Sequence, residues 1–339
     1  MTGKNKGQGK EKLKAGREGR VGGSLQNPQN AGNPKGSNVS NASNSGFGSG
    51  TPHINPYLVL FMAIIGLSFG SFLAKLSDAP ALIIATYRNG LATLILAPFA
   101  LTVCRNELKE LSVRDVAAAF AAGVFLAFHF ATWITSLDYT SVASSTVLVT
   151  LQPVFVVLGS FLFLKESVPI KAISVGFLAI AGSIIIGLSD FRIGGTALWG
   201  DFLALSGAVL IAGYMLIGRR LRQRLSLTAY TFLAYGSCSL VLLLMDILSG
   251  TPLAPYSTQN WMLFLAMALI PTIMGHSLLN WNLKYLPAST VSVSVLGEPI
   301  GASILAGIFL NELPTGLQIV GASLILIGIY LFMKLSAES

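Results

Sequence analysis

The sequence predicts an all-α polytopic membrane protein: ten transmembrane helices arranged as two inverted five-helix repeats, with both termini cytoplasmic. Three observations lead there. Of the 339 residues, 53% are hydrophobic and only 11% charged, and the mean hydropathy is +0.69; a water-soluble domain carries about a quarter charged residues. Apolar runs of about twenty residues recur along the chain, the length that crosses a hydrocarbon core of about 30 Å. A stretch in the first half also returns in the second.

The first element, residues 1–56, is a Gly/Asn/Ser/Lys tail without apolar periodicity, predicted to be disordered. It holds eight Lys/Arg against Glu11 and Glu18, so most of the net charge of +8 sits here and is not a nucleic-acid signal. A solvated linker is the reading; attraction to anionic headgroups is the alternative. The first apolar run begins only near Tyr57, too late for a cleaved signal peptide.

The spans follow at 57–76, 80–103, 113–136, 141–164, 169–188, 199–217, 228–248, 260–283, 288–310 and 315–334. The short connections Asp78–Pro80, Asp138–Thr140 and Lys284–Pro287 leave room only for tight turns, so neighbours run antiparallel. With the N-terminus inside, inner connections and span ends hold eleven Lys/Arg, among them Arg105, Lys165, Arg219 and Lys284. The outer ones hold Arg192 and, at a span edge, Lys75. That asymmetry sets the orientation by the positive-inside rule.

The repeat appears as "LQPVFVVLGSFLFLKE" (151–166) against "GEPIGASILAGIFLNE" (297–312). At a fixed offset of 146 residues Pro153 matches Pro299, Phe163 matches Phe309 and Glu166 matches Glu312. Trp133 and Trp281 match with a two-residue slip. The units are 57–190 and 198–334. Five spans per unit is an odd number, so the second unit lies upside down relative to the first, a recurring design in secondary transporters.

At these residues the chain resembles a known family, the EamA-type transporters of the drug/metabolite transporter superfamily. The resemblance rests on "ITSLDYTSVASSTVLVTLQPVFVVLGSFLFLKE" (134–166), "GDFLALSGAVLIAGYMLIGRRL" (200–221) and "LKYLPASTVSVSVLGEPIGASILAGIFLNE" (283–312). It implies ten helices in two inverted five-helix units around a central cavity, and movement of small metabolites such as amino acids. The basic tail is an addition to that plan.

Charged residues inside a membrane are costly, and usually face a cavity or a partner. Counting 1.5 Å per residue, Arg88 and Glu298 both fall near the midplane, where a pair between them, direct or through water, is allowed. Arg88 is read either as a holder of an anionic substrate group or as a strut bonded to backbone. For Glu298 three roles stay open: carrying a proton, holding a substrate amine, or neutralising Arg88. Gln152 is its counterpart in the first unit. His129 and His276 stand at similar depth, each about one turn before a tryptophan, Trp133 or Trp281, with Asn280 adding polarity. A histidine there either faces the cavity or bonds a neighbouring helix, and the indoles stack on substrate or anchor the interface. Pro153 and Pro299 predict matched kinks. Glu166 and Glu312 are read as structural helix-end residues. The Gly/Ser stretches 66–71, 206–213 and 301–307 predict close helix approach.

No GxxxxGK[ST] or HExxH pattern is present, and two cysteines suit neither a disulfide framework nor a metal site. The sequence thus predicts no catalytic residues, metal or cofactor. The expectation is a secondary active transporter of the cell membrane, moving a small organic solute by alternating access with protons as a candidate coupling ion. Its partners are that solute and membrane lipid. A channel or a non-transporting receptor or scaffold is the alternative, and an intramembrane enzyme the least favoured reading. The residues leave substrate, direction of flux and oligomeric state open.

Overall fold

A computed structural model describes residues 52, 54–140, 142–166, 169–188, 196–309 and 316–337. Nearly all of the basic tail, and Arg192 and Glu312, lie outside them. Among the described residues the regular structure is entirely helical.

Helix α1 is Pro56–Lys75. Asn55 caps it, its Oδ1 accepting from Tyr57 N–H at 2.9 Å, and Pro56 takes the first position, where a missing N–H costs nothing. Next come α2 (Ala81–Thr102), the short α3 (Arg105–Lys109) and α4 (Val113–Tyr139). Ser112 caps α4 through Asp115 N–H. The following run is broken into α5 (Val142–Val149), α6 (Gln152–Gly159) and a π-helical turn, Ser160–Leu164. Lys165, at φ 56°, stops it in the left-handed conformation. Then comes α7 (Ile170–Leu188).

The second half repeats this order. Helices α8 (Thr196–Arg222) and α9 (Leu227–Ser249) are followed by a continuous run, Thr258–Tyr285. That run comprises α10 (Thr258–Met267), a π-helical stretch over Ala268–Ser277, and α11 (Leu278–Tyr285). After it, α12 (Ala288–Ser294), a 3-10 turn at Val295–Gly297 and α13 (Glu298–Phe309) form a second broken run, and α14 (Gly316–Ala337) ends the described chain. Among the described residues seven helical runs are long and apolar enough to cross a membrane, and three shorter apolar helices accompany them, at Gln152–Leu164, Ile170–Gly182 and Ile319–Phe332. The molecule is a multi-pass membrane protein.

Packing has an internal symmetry. Helix α1 lies along the run Thr258–Tyr285 and on α13, while α8 lies along α4 and on α5 and α6. Thus the first helix of each half packs on the third and fourth elements of the other. The second helices pair with each other, α2 on α9, and so do the last, α7 on α14. Small residues permit these contacts as the sequence predicts. A Cβ on Gly66 would stand 2.8 Å from the Gly275 backbone nitrogen, and one on Gly301 2.1 Å from Ser68 Oγ. At Gly66 the helices touch backbone to backbone, the closeness that drives association where no hydrophobic effect operates.

Candidate functional site

The two broken runs place matched residues at new helix starts. Gln152 is the first residue of α6 and Glu298 the first of α13, each followed by a proline at the second position. A proline there breaks the chain on its N-terminal side and sits where an N–H would be unpaired anyway. The predicted kinks of Pro153 and Pro299 are therefore interruptions, by a turn at residues 150–151 and by the 3-10 turn. Gln152 and the Glu298 carboxylate stand at the positive ends of helix dipoles, a favourable place for an anion.

Both residues line one central cavity of about 40 Å³ with Arg88, His129, Trp133 and His276. The remaining wall is largely apolar, including Leu67, Ile211, Met215 and Leu279. Arg88 is 1% exposed. Its Nε donates to Thr272 Oγ1 at 3.1 Å, and its guanidinium carbon lies 4.3 Å from the centre of the Phe130 ring, a cation–π contact. Among the described residues Nη1 has no hydrogen-bond partner, and neither Arg88 nor Glu298 forms an ion pair. The direct Arg88–Glu298 bond that their depths allow is not made; the two side chains instead share the cavity wall. Ser68 Oγ donates to the main-chain carbonyl of Glu298 at 3.4 Å, which leaves its carboxyl to the cavity.

The histidines differ. His129 Nδ1 donates to the Gly207 carbonyl at 3.0 Å, tying α4 to α8, and its ring stacks on Trp133 at 6.0 Å and 7°. Both expected roles therefore coexist in His129: it bonds a neighbouring helix and lines the cavity. His276 packs T-shaped against Phe130, ring centres 5.3 Å apart, and its Nδ1 has no partner among the described residues.

Asn280 and Trp281 are not among the residues lining this cavity. Asn280 Nδ2 donates to Tyr214 Oη at 2.5 Å and reaches Tyr235 Oη at 3.4 Å, and its main-chain carbonyl accepts from Arg222 Nε. Trp281 packs against Tyr285, ring centres 4.4 Å apart and planes tilted by 49°. The cause is register. At the repeat offset of 146, Trp133 corresponds to Leu279, and Leu279 is what lines the cavity. Trp281 is two residues further, about 200° round the helix. His276 is one residue past the position matching His129. His276 nevertheless lines the cavity, from within the π-helical stretch Ala268–Ser277.

Sequence reasoning missed the groups that hold Arg88, namely Thr272 and Phe130. Pro271, inside a span, was the available signal for the π stretch. Asp246 was missed too: it is fully buried in α9, its Oδ2 accepting from Thr86 Oγ1 at 2.5 Å, away from the cavity. Glu166, read as a helix-end residue, pairs with Arg219 at 2.7 Å.

The model of the EamA-like transporter family matches residues 55–188 and 198–334. An uncharacterized transporter of Bacillus subtilis, YxxF, is 27% identical over 277 residues, covering 80% of this chain and 88% of that protein. The pseudopaline exporter CntI of Pseudomonas aeruginosa is 24% identical over 276 residues, covering 79% and 93%. One crystal structure superposes with a TM-score of 0.68 over 84% of this chain and 98% of the other at 16% identity, a likeness of fold.

Proposed function

Because the chain belongs to the EamA-like transporter family, within the drug/metabolite transporter superfamily, and its relatives are membrane transporters, we propose that it is a secondary active transporter of a small organic solute in the cell membrane. It works by alternating access around the cavity of Arg88 and Glu298. It has ten spans in two inverted units, 57–190 and 198–334, with both termini cytoplasmic. The symmetric packing of the halves supports this arrangement, as does the family model's match to each half.

One observation carries the reading. The cavity is built by both halves at the two helix breaks, with Arg88, His129 and Gln152 from the first and His276 and Glu298 from the second. Interrupted helices whose starts point at a central site are the form in which membrane carriers hold solutes and coupling ions. Arg88 Nη1 offers an unused donor for an anionic group of the solute. Glu298 takes up a proton or a solute amine. At about 40 Å³ the cavity admits only a few waters, so a metabolite enters when the walls separate. That need for movement favours a carrier over a fixed pore.

The test is purification, a thermal-shift screen against metabolite pools, and reconstitution of the protein in liposomes with the solute found. Saturable flux and counterflow are expected; flux that neither saturates nor exchanges indicates a channel. One relative is named an exporter, so outward flux is assayed first.

A further inference from the structure

The same pair of contacts occurs at both ends of the molecule. At one end Lys75, the last residue of α1, donates from Nζ to the Leu137 carbonyl at 2.7 Å, 62 residues on. At the other Arg219, near the end of α8, donates from Nη1 to the Leu283 carbonyl at 2.7 Å, 64 residues on. Leu137 and Leu283 stand at the repeat offset of 146. Each lies in the last turn of the third element of its half, α4 or the run Thr258–Tyr285. Carbonyls there lack intrahelical partners and sit at the negative end of the dipole, which favours a cation.

The connection that follows each cation then crosses to the other half. Beyond Lys75, Ser77 Oγ donates to Asn260 Oδ1 at 2.8 Å, and Asn260 Nδ2 donates to Asp78 Oδ1 at 2.5 Å. Asn260 is in the first turn of α10. Beyond Arg219, Arg224 pairs with Asp115 at 3.4 Å, in the first turn of α4. Each connection therefore bridges the end of one third element to the start of the other. Those are the two elements that carry His129 and His276. The second end has one more tie: Glu166 pairs with Arg219 at 2.7 Å and accepts from Ala288 N–H at 3.3 Å, joining the end of the broken run in the first half to the start of that in the second. The two ends are opposite, because Leu137 lies just before the run 142–164 and Glu166 just after it.

We infer that these connections are matched clasps, each closing one face of the central cavity, and that transport releases them one at a time. Asn260 with Asp78 holds one face and Glu166 with Arg219 the other. With both clasps made, the chain is in a closed state, in keeping with its small cavity. The proposal rests on the transporter reading above.

The test uses the full chain with Leu279→Cys as a reporter in the cavity wall, the unmodified chain controlling for Cys104 and Cys238. Labelling by a membrane-impermeant maleimide is followed in right-side-out and inside-out vesicles. Glu166→Ala is expected to raise labelling roughly fivefold, the factor a partly exposed ion pair supplies, from the face bearing Lys284 only. Asn260→Ala is expected to do so from the opposite face only. Glu166→Lys and Asn260→Asp set like charges against Arg219 and Asp78 and should open the same respective faces. Unchanged labelling in protein that keeps its thermal midpoint, or a rise from the same face in both variants, overturns the clasps. Equal, rapid labelling from both faces with neither clasp altered instead overturns the carrier reading itself, since it marks an open pore.

Discussion

Arg88 is held by Thr272: its Nε lies 3.1 Å from Thr272 Oγ1, inside the π-helical stretch, while Nη1 is left without a partner at the cavity wall. Hydrogen bonds to charged groups are worth about 1.5–3 kcal/mol. Thr272→Val should therefore lower solute affinity by roughly tenfold or more, and Thr272→Ser should restore most of it. Binding measured by thermal shift on the three proteins checks this. Equal affinities would show that Arg88 keeps its position without the bond.

Glu298 and Arg88 share the cavity without touching, so their roles separate in a double-mutant comparison. If Glu298 carries the coupling proton, Glu298→Gln flattens the pH dependence of net flux yet keeps counterflow, an exchange that needs no net proton movement. If it only balances Arg88, the double variant Arg88→Ala, Glu298→Gln recovers the activity that either single change removes. Flux measured across about pH 5–8, where physiological proton switches operate, distinguishes the two, and we expect the first result.

The tryptophans of the two halves should behave differently. Trp133 lines the cavity and stacks on His129, whereas Trp281 packs on Tyr285 outside it. Trp133→Leu, which copies the matched Leu279, should alter solute affinity severalfold, in the range of a lost aromatic contact. Trp281→Ala should leave affinity within about twofold, since it removes no cavity contact. Binding curves for both variants decide it.

Glycine substitutions should rank by distance. A Cβ on Gly66 meets backbone atoms of Gly275 at 2.8 and 3.0 Å, which cannot swing aside, while one on Gly207 meets only side chains at 3.4 Å or beyond. Gly66→Ala should cost about 1–3 kcal/mol of stability, as overpacking does, and Gly207→Ala should be nearly neutral. Thermal midpoints in detergent give the comparison.

Much of this was legible in the sequence because the membrane makes hydropathy a direct readout. The runs that became α1, α2, α7 and α9 end within one or two residues of their apolar limits. Pro153 and Pro299 announced the breaks, since a proline in a span must free backbone groups. The repeat offset announced the pairing of Gln152 with Glu298. Side-chain direction was less legible. One residue of slip past Leu279 turns a side chain by about 100°, and two turn it by about 200°. Asn280 and Trp281 therefore point away from the cavity although their neighbours His276 and Leu279 face it. Thr272 and Phe130 carried no signal of their own, because a threonine or a phenylalanine in a span is ordinary until an arginine is seen beside it.

The most direct test is counterflow. Liposomes containing the wild-type protein are loaded with the solute identified by thermal shift, and entry of labelled solute is followed with Arg88→Ala and Glu298→Gln as comparisons. Accelerated, saturable exchange in the wild type, abolished by Arg88→Ala and retained by Glu298→Gln, is the predicted result. Exchange that persists undiminished in properly inserted Arg88→Ala would contradict the placement of the solute in this cavity.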